Sequence, residues 1–228
     1  MGKTATVIGA TGMIGSLLVD ELLQDNDFDT VRILIRRPVK TEHPRLEKKL
    51  VDFNDSDSLL IALTDTDYLF CAIGTTNKKV RGNKDEYRKI DYDIPLRVAR
   101  LGKMVGCENF SIVSAVSANP KSSTFYIRLK GEVEEAINSV NIRTVNVMRP
   151  SMLLGPRSEK RAMERILQSV FSSVSFLIPS KFKGIEGKDV AKAMITAAKK
   201  DKPGFFIFHY KEMMELAGED SPLSRYKN

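Results

Sequence analysis

The sequence predicts an α/β protein built on a doubly wound parallel sheet. Three observations lead there. An apolar strand-like run at residues 5–9 stops at a glycine-rich turn, strand-like and helix-like segments then alternate along most of the chain, and the composition is that of an ordinary globular domain. The 228 residues are 42% hydrophobic and 29% charged, which excludes disordered and fibrous classes and allows a sizeable core.

Each element can be justified in turn. Residues 5–9 form a short apolar run ended by Gly9, as in a buried parallel strand, and Ile14, Leu17, Leu18 and Leu22 follow at helical spacing. Residues 31–35 give the second strand, 49–51 a short third, and 59–63 a short helix after an Asp/Ser-rich start. The fourth strand falls at 68–73, a long helix at 85–105, the fifth strand at 110–113, a helix at 125–138 and the sixth strand at 143–148. Residues 1–150 are read as a nucleotide-binding core. Residues 151–228 are read as a small C-terminal substrate lobe packed on it, with an amphipathic helix at 159–171, another helix at 190–198 and an aromatic strand at 205–208.

Several function classes fall away on composition. Only Cys71, Cys107, His43 and His209 are present, so a disulfide framework and a four-ligand zinc site are excluded, and no metal is expected. Neither cysteine has a histidine nearby in sequence, which argues against a thiolate nucleophile. The chain has no apolar run of about 18 residues, and the N-terminus lacks a secretory apolar region. The expectation is therefore a cytoplasmic protein without membrane contact. A net charge of +7 hints at an anionic partner, but the basic residues are scattered and Trp is absent, which argues against nucleic acid and for a small molecule.

The turn after the first strand, Gly9-Ala10-Thr11-Gly12-Met13-Ile14-Gly15, has the G-x-x-G-x-x-G spacing of a dinucleotide loop. Gly9 makes the tight turn, Gly12 lets the backbone approach a pyrophosphate, and Gly15 lets helix and strand pack closely. The helix start then offers free N–H groups and a positive dipole end to the phosphate. The second strand ends at Arg36-Arg37-Pro38, where NAD binders place an acid for the ribose hydroxyls. A guanidinium can hold a 2′-phosphate there, so NADP is favoured over NAD. Asp52, after the third strand, is placed to bond an adenine amino group or to cap the next turn.

Tyr126 and Lys130 stand four apart on one helix face. The ammonium, together with the positive nicotinamide of an oxidised cofactor, favours phenolate and so lowers the tyrosine pKa, the arrangement a phenolic acid–base catalyst needs near neutral pH. Twelve residues before Tyr126, Ser114 closes the fifth strand, from where its hydroxyl can reach a substrate carbonyl; Ser117 competes for that role. Lys78, Lys79, Arg81 and Lys84 form a basic loop beside the cleft, read either as a solvated loop or as a lid or a clamp for an anionic substrate.

Taken together, the glycine turn, Arg36-Arg37-Pro38, Cys71-Ala72-Ile73-Gly74-Thr75, Val113-Ser114-Ala115-Val116-Ser117-Ala118, residues 125–132 and residues 149–155 resemble the atypical short-chain dehydrogenases/reductases of the extended type, in their small NAD(P)H-binding branch. The resemblance spans roughly residues 3–208. It implies a Rossmann-type fold, Ser114, Tyr126 and Lys130 as a catalytic triad, and Ala72, Ile73 and Gly74 along the adenine ribose and pyrophosphate. It also implies Pro150 and Leu153 beside the nicotinamide, and it places glycine where this chain has Ser117. The activity to expect is NADPH-dependent hydride transfer with a small carbonyl or alcohol. The alternatives are a cofactor-bound regulator without turnover and a nucleotide-sugar epimerase or dehydratase. Only 78 residues (228 − 150) follow Pro150, which favours a small substrate pocket. Whether the chain is a monomer or a homodimer stays open.

Overall fold

A computed structural model describes residues 2–154 and 183–219. The first strand, β1 (Thr4–Ile8), lies inside a seven-stranded sheet, where Ala5, Val7 and Ile8 are sealed from solvent. Its neighbours are β2 (Thr30–Ile35) and β4 (Tyr68–Cys71), both parallel to it. Beyond β2 lies β3 (Leu46–Leu50). Beyond β4 come β5 (Asn109–Val113), β6 (Thr144–Met148) and β9 (Gly204–Phe208), in the order β3-β2-β1-β4-β5-β6-β9. All pairings in this sheet are parallel. The chain therefore runs outward from β1 to β3, crosses back to β4 and continues to the other edge. The topological switch point, where such sheets bind ligands, lies between β1 and β4.

Side chains of the strands alternate between two apolar clusters, as a sheet covered on both faces requires. One face carries Val7, Ile33 and Phe70 against α1 (Met13–Gln24) and α6 (Gly187–Lys199), with Met213 and Leu216 of α7 (Tyr210–Glu219). The other carries Ile8, Leu34 and Leu69 against α2 (Ser56–Leu63), α4 (Ile94–Met104) and α5 (Phe125–Asn138). Ends are tied by charge. Lys199 of α6 reaches Asp25 (2.9 Å) and Asp27 (2.6 Å) just past α1, and Arg45 donates to the carbonyls of Asp25 and Phe28 at 2.8 and 2.7 Å. The Arg45 bond to the Asp25 oxygen satisfies a carbonyl that the end of α1 leaves without a partner.

Three expectations change. The third strand begins three residues earlier than predicted: Glu47, Lys48 and Lys49 look like loop residues, but on an outer strand they are only partly buried and ion-paired, Glu47 with Arg32 and Lys49, and Lys48 with Glu42. The long helix over 85–105 is broken into α3 (Lys84–Arg88), a π-turn (Lys89–Asp93) and α4. Pro95 in the first turn of α4 has no N–H to donate, which interrupts the regular ladder there. Finally, the boundary at residue 150 does not divide the sheet. β9 is its seventh strand and α6 covers α1, so these parts of the expected substrate lobe belong to the core. A two-stranded parallel ladder, β7 (Leu153–Leu154) with β8 (Ile185–Glu186), stands apart from it. The helix expected at 159–171 lies outside the described residues.

Candidate dinucleotide and catalytic site

The glycine turn is closed by sterics. Gly9 has φ +84°, and a Cβ there would lie 2.6 Å from the Ala72 carbonyl. A Cβ on Gly15 would lie 2.0 Å from the Gly9 oxygen, so α1 can approach β1 this closely only with glycine. The Gly12 N–H donates to the Gly9 oxygen at 2.9 Å, which completes the turn. Ile14 is buried in the core and Gly15 is enclosed by the turn, whereas Met13 is exposed. The last three therefore contribute backbone: the N–H groups of the first turn of α1 have no acceptor within the helix.

A cavity of about 440 Å³ opens over this turn. Gly9, Thr11 and Gly12 form its floor, Arg36 and Arg37 one wall, and Ala72, Ile73, Gly74 and Lys79 another. The size suits a small-molecule or cofactor site. Among the described residues no carboxylate lines it, and neither arginine has an ion-pair or hydrogen-bond partner. A glycine cradle that any Cβ would fill, with uncompensated guanidinium groups at its rim, fits a phosphate-rich dinucleotide. Asp52 does not line the cavity. Its carboxylate accepts the Asn54 N–H (2.8 Å) and side-chain amide (3.0 Å), and Phe53 faces the cavity instead. Of its two predicted roles, the structure shows the turn cap.

The three triad residues occupy adjoining elements but different environments. Tyr126, in the first turn of α5, remains 38% exposed, and its ring meets that of Tyr87 edge-on at 6.2 Å. Lys130, one turn on, is buried with its Nζ 6.0 Å from the Tyr126 ring centre. That ammonium is paired at 2.8 Å with Asp91, itself 1% exposed, from the π-turn. The second Asp91 oxygen accepts the Thr75 N–H at 2.8 Å. Burial alone would pull Lys130 down, but Asp91, joined by Tyr126, outweighs it and holds the ammonium above its ordinary value. In the cofactor-free chain the ammonium alone does not lower the Tyr126 pKa. Partial burial pushes the phenol up and Asp91 adds to that, while the opposing pull of Lys130 is overcome.

Ser114 is buried at the end of β5, where its N–H bonds the Met148 oxygen at 2.7 Å. Its hydroxyl donates to the buried carboxylate of Glu134, one turn beyond Lys130. Arg149 donates to the same carboxylate through Nε at 3.1 and 3.2 Å and also through Nη2. A hydroxyl has one hydrogen. With that hydrogen on Glu134, Ser114 has only lone pairs left, and the expected donation to a substrate carbonyl is not set up in this arrangement. Ser117 is exposed at φ +64°, a left-handed conformation that glycine adopts without strain. Pro150 is buried and accepts the Val116 N–H at 2.9 Å, and Leu153 is partly buried in β7; neither lines the cavity. Cys71 and Cys107 are buried, which pushes both thiols up to about 11 and suits packing rather than chemistry.

Asp91, Glu134 and Arg149 were not singled out from the sequence. A signal for the first was present: Tyr87, Asp91, Ile94, Val98 and Leu101 recur at helical spacing, so an acid sits on an otherwise apolar stripe and needs a buried cation.

Fold and cavity together define a Rossmann-type protein of the atypical short-chain dehydrogenase/reductase class. A family described as NAD(P)H-binding matches residues 9–201, and the chain belongs to it. Rat protein HTATIP2 is 33% identical over 175 residues, covering 75% of this chain and 72% of that protein. The Scheffersomyces stipitis protein FMP52-1, mitochondrial, is 29% identical over 222 residues, covering 93% and 98%. Among solved structures, MoeE5 in complex with UDP-glucose and NAD shares the fold at a TM-score of 0.69 and 18% identity, covering 96% and 82%. The UDP-N-acetylglucosamine 4-epimerase from Bacillus cereus does so at 0.68 and 18%, covering 93% and 82%. The cytoplasmic expectation is overturned, because related proteins from four fungi are named as mitochondrial. An apolar leader marks secretion, so its lack was no argument for the cytoplasm.

Proposed function

We propose that this protein is an NADPH-dependent oxidoreductase that moves a hydride to or from a small carbonyl or alcohol. The observation that carries the reading is the cavity with no carboxylate among its described lining residues, which brings the glycine turn, Arg36, Arg37 and residues 72–74 together at the switch point of the sheet. The N–H groups at the start of α1 would face the pyrophosphate, and Arg36 and Arg37 the 2′-phosphate that distinguishes NADP from NAD. Pro150 and Leu153 would lie toward the nicotinamide. When bound, the cofactor supplies or accepts the hydride.

The chain's own residues divide the remaining work. Tyr126, the exposed member of the triad, gives its phenolic proton to the carbonyl oxygen or takes one from the alcohol. Lys130 cannot leave its Asp91 partner without exposing a buried charge, so it acts from a fixed position, steadying phenolate and offering its remaining donors to ribose hydroxyls. Ser114 supplies lone pairs to an alcohol hydroxyl, which leaves carbonyl polarisation to Tyr126. A second reading, a cofactor-bound regulator without turnover, draws on that same pairing. Two of the three polar groups are already engaged in buried networks.

Fluorescence titration with NADPH and NADH, followed by a carbonyl panel with Tyr126→Phe as control, separates the readings. Tight NADPH binding with reduction abolished in Tyr126→Phe supports the enzyme. NADPH binding without turnover on any carbonyl supports the regulator. Binding of neither nucleotide removes both.

A further inference from the structure

We propose that Lys79 is a ligand of the dinucleotide pyrophosphate, reaching it from the β4 side of the glycine turn; this rests on the cofactor reading above. Sheet order places β1 between β2 and β4. Arg36 and Arg37, which follow β2, therefore approach the cavity from one flank, and the loop after β4 approaches from the other. That second flank abuts the glycine turn directly. The Ala72 carbonyl carbon and oxygen lie 2.6 Å from where a Gly9 Cβ would stand, and the oxygen 3.8 Å from a Gly12 Cβ. A cation carried seven residues past Ala72 and lining the same cavity thus enters it from the flank of the glycine turn opposite the one the arginine pair follows.

The loop is built to hold that cation in place. Its start is fixed at Thr75, whose N–H bonds the Asp91 carboxylate and whose carbonyl accepts the Tyr87 hydroxyl at 3.1 Å. The Lys79 and Val80 N–H groups both return to the Thr76 carbonyl, at 2.9 and 3.2 Å, and the Gly82 N–H bonds the Asn77 oxygen at 3.1 Å. Val80 is buried with Tyr87 and Leu129, which anchors the turn on α5, and Arg81 and Gly82 reverse the chain with φ of +51° and +78°. Of the four basic residues in this loop, Lys79 alone lines the cavity. Among the described residues its ammonium has no partner and no carboxylate lines the cavity beside it.

The test is titration of NADPH and NADH on the whole chain, comparing wild type, Lys79→Ala, Lys79→Arg and Lys78→Ala, at two salt concentrations. Both dinucleotides carry the pyrophosphate. Lys79→Ala should therefore weaken both by a similar factor, roughly 10-fold for one charge-assisted contact, with melting temperature unchanged. Lys79→Arg should restore most of the binding, Lys78→Ala should change little, and the salt dependence of Lys79→Ala should be shallower. Unchanged affinity for both nucleotides in Lys79→Ala overturns the assignment. So does a loss confined to NADPH, which would move Lys79 to the 2′-phosphate, or an equal loss in Lys78→Ala, which would reduce the effect to a diffuse field. Wild type that binds neither nucleotide defeats the cofactor reading itself, and this inference with it.

Discussion

The cavity over the glycine turn and the interior behind Tyr126 treat charge in opposite ways. At the cavity, Arg36, Arg37 and Lys79 stand exposed with no carboxylate among the described lining residues. Behind Tyr126, Lys130 has Asp91, and Arg149 has Glu134, all but the arginine nearly sealed from water. An exposed, unpaired cation adds little to folding and is free to meet an anion. A buried charge must be matched inside the protein, so what it confers is fixed position. The first arrangement belongs to binding and the second to alignment.

Substitutions that separate stability from affinity can break this contrast. Asp91→Ala strands the Lys130 ammonium and should lower the unfolding free energy by about 3–5 kcal/mol, read by urea denaturation. The contrast fails if its stability matches that of Arg36→Ala, for which a change within about 0.5 kcal/mol is expected. Arg36→Ala/Arg37→Ala should weaken NADPH by roughly 10- to 100-fold, leave NADH nearly untouched and leave the melting temperature in place. Equal loss for both nucleotides would remove the 2′-phosphate assignment.

The pH dependence sharpens the interior half. The native Lys130 value is raised, so its contribution is complete below the ordinary lysine value of about 10.4 and is lost as pH rises through the native value. Tyr126 is also raised and has the same sign. The wild-type share of that stability should therefore hold steady across neutral pH and be lost in alkali, whereas in Asp91→Asn burial pulls Lys130 down and its loss of charge should begin at lower pH. In a phenolate absorbance titration, assigned with Tyr126→Phe, Asp91→Asn should move the Tyr126 midpoint to lower pH; an unmoved midpoint would detach Asp91 from the phenol. The smallest effect belongs to Ser117→Gly, which relieves a left-handed φ. A gain below about 1 kcal/mol is expected, because the glycine entropy cost offsets part of it.

What the sequence revealed follows the range of the interactions. The glycine turn, the arginine pair and α5, whose bounds match the expectation residue for residue, are set by neighbours within a few positions. The Asp91–Lys130 and Ser114–Glu134 contacts join residues 39 and 20 positions apart; the apolar stripe around Asp91 calls for a buried cation, but nothing local names Lys130 as the one or pairs Ser114 with Glu134. Glu134 in particular looks like one more acid on a charged helix until packing buries it. Asp52 was ambiguous for the opposite reason: both readings were local, and its contact with Asn54 decided for the turn. The sheet's seventh strand was legible as a strand but not as a neighbour of β6, because pairing partners are chosen in space.

The cover on one face of the sheet arrives late. Leu18 and Leu22 of α1 share a cluster with Val190 and Met194 of α6, and Lys199 closes on Asp25, 174 residues earlier in the chain. A ribosome delivers the first βαβ unit long before the helix that shields it. The emerging polypeptide must then keep an oily flank out of contact with its neighbours until the final quarter is made, which marks it as a client for holding chaperones and a poor candidate for C-terminal truncation.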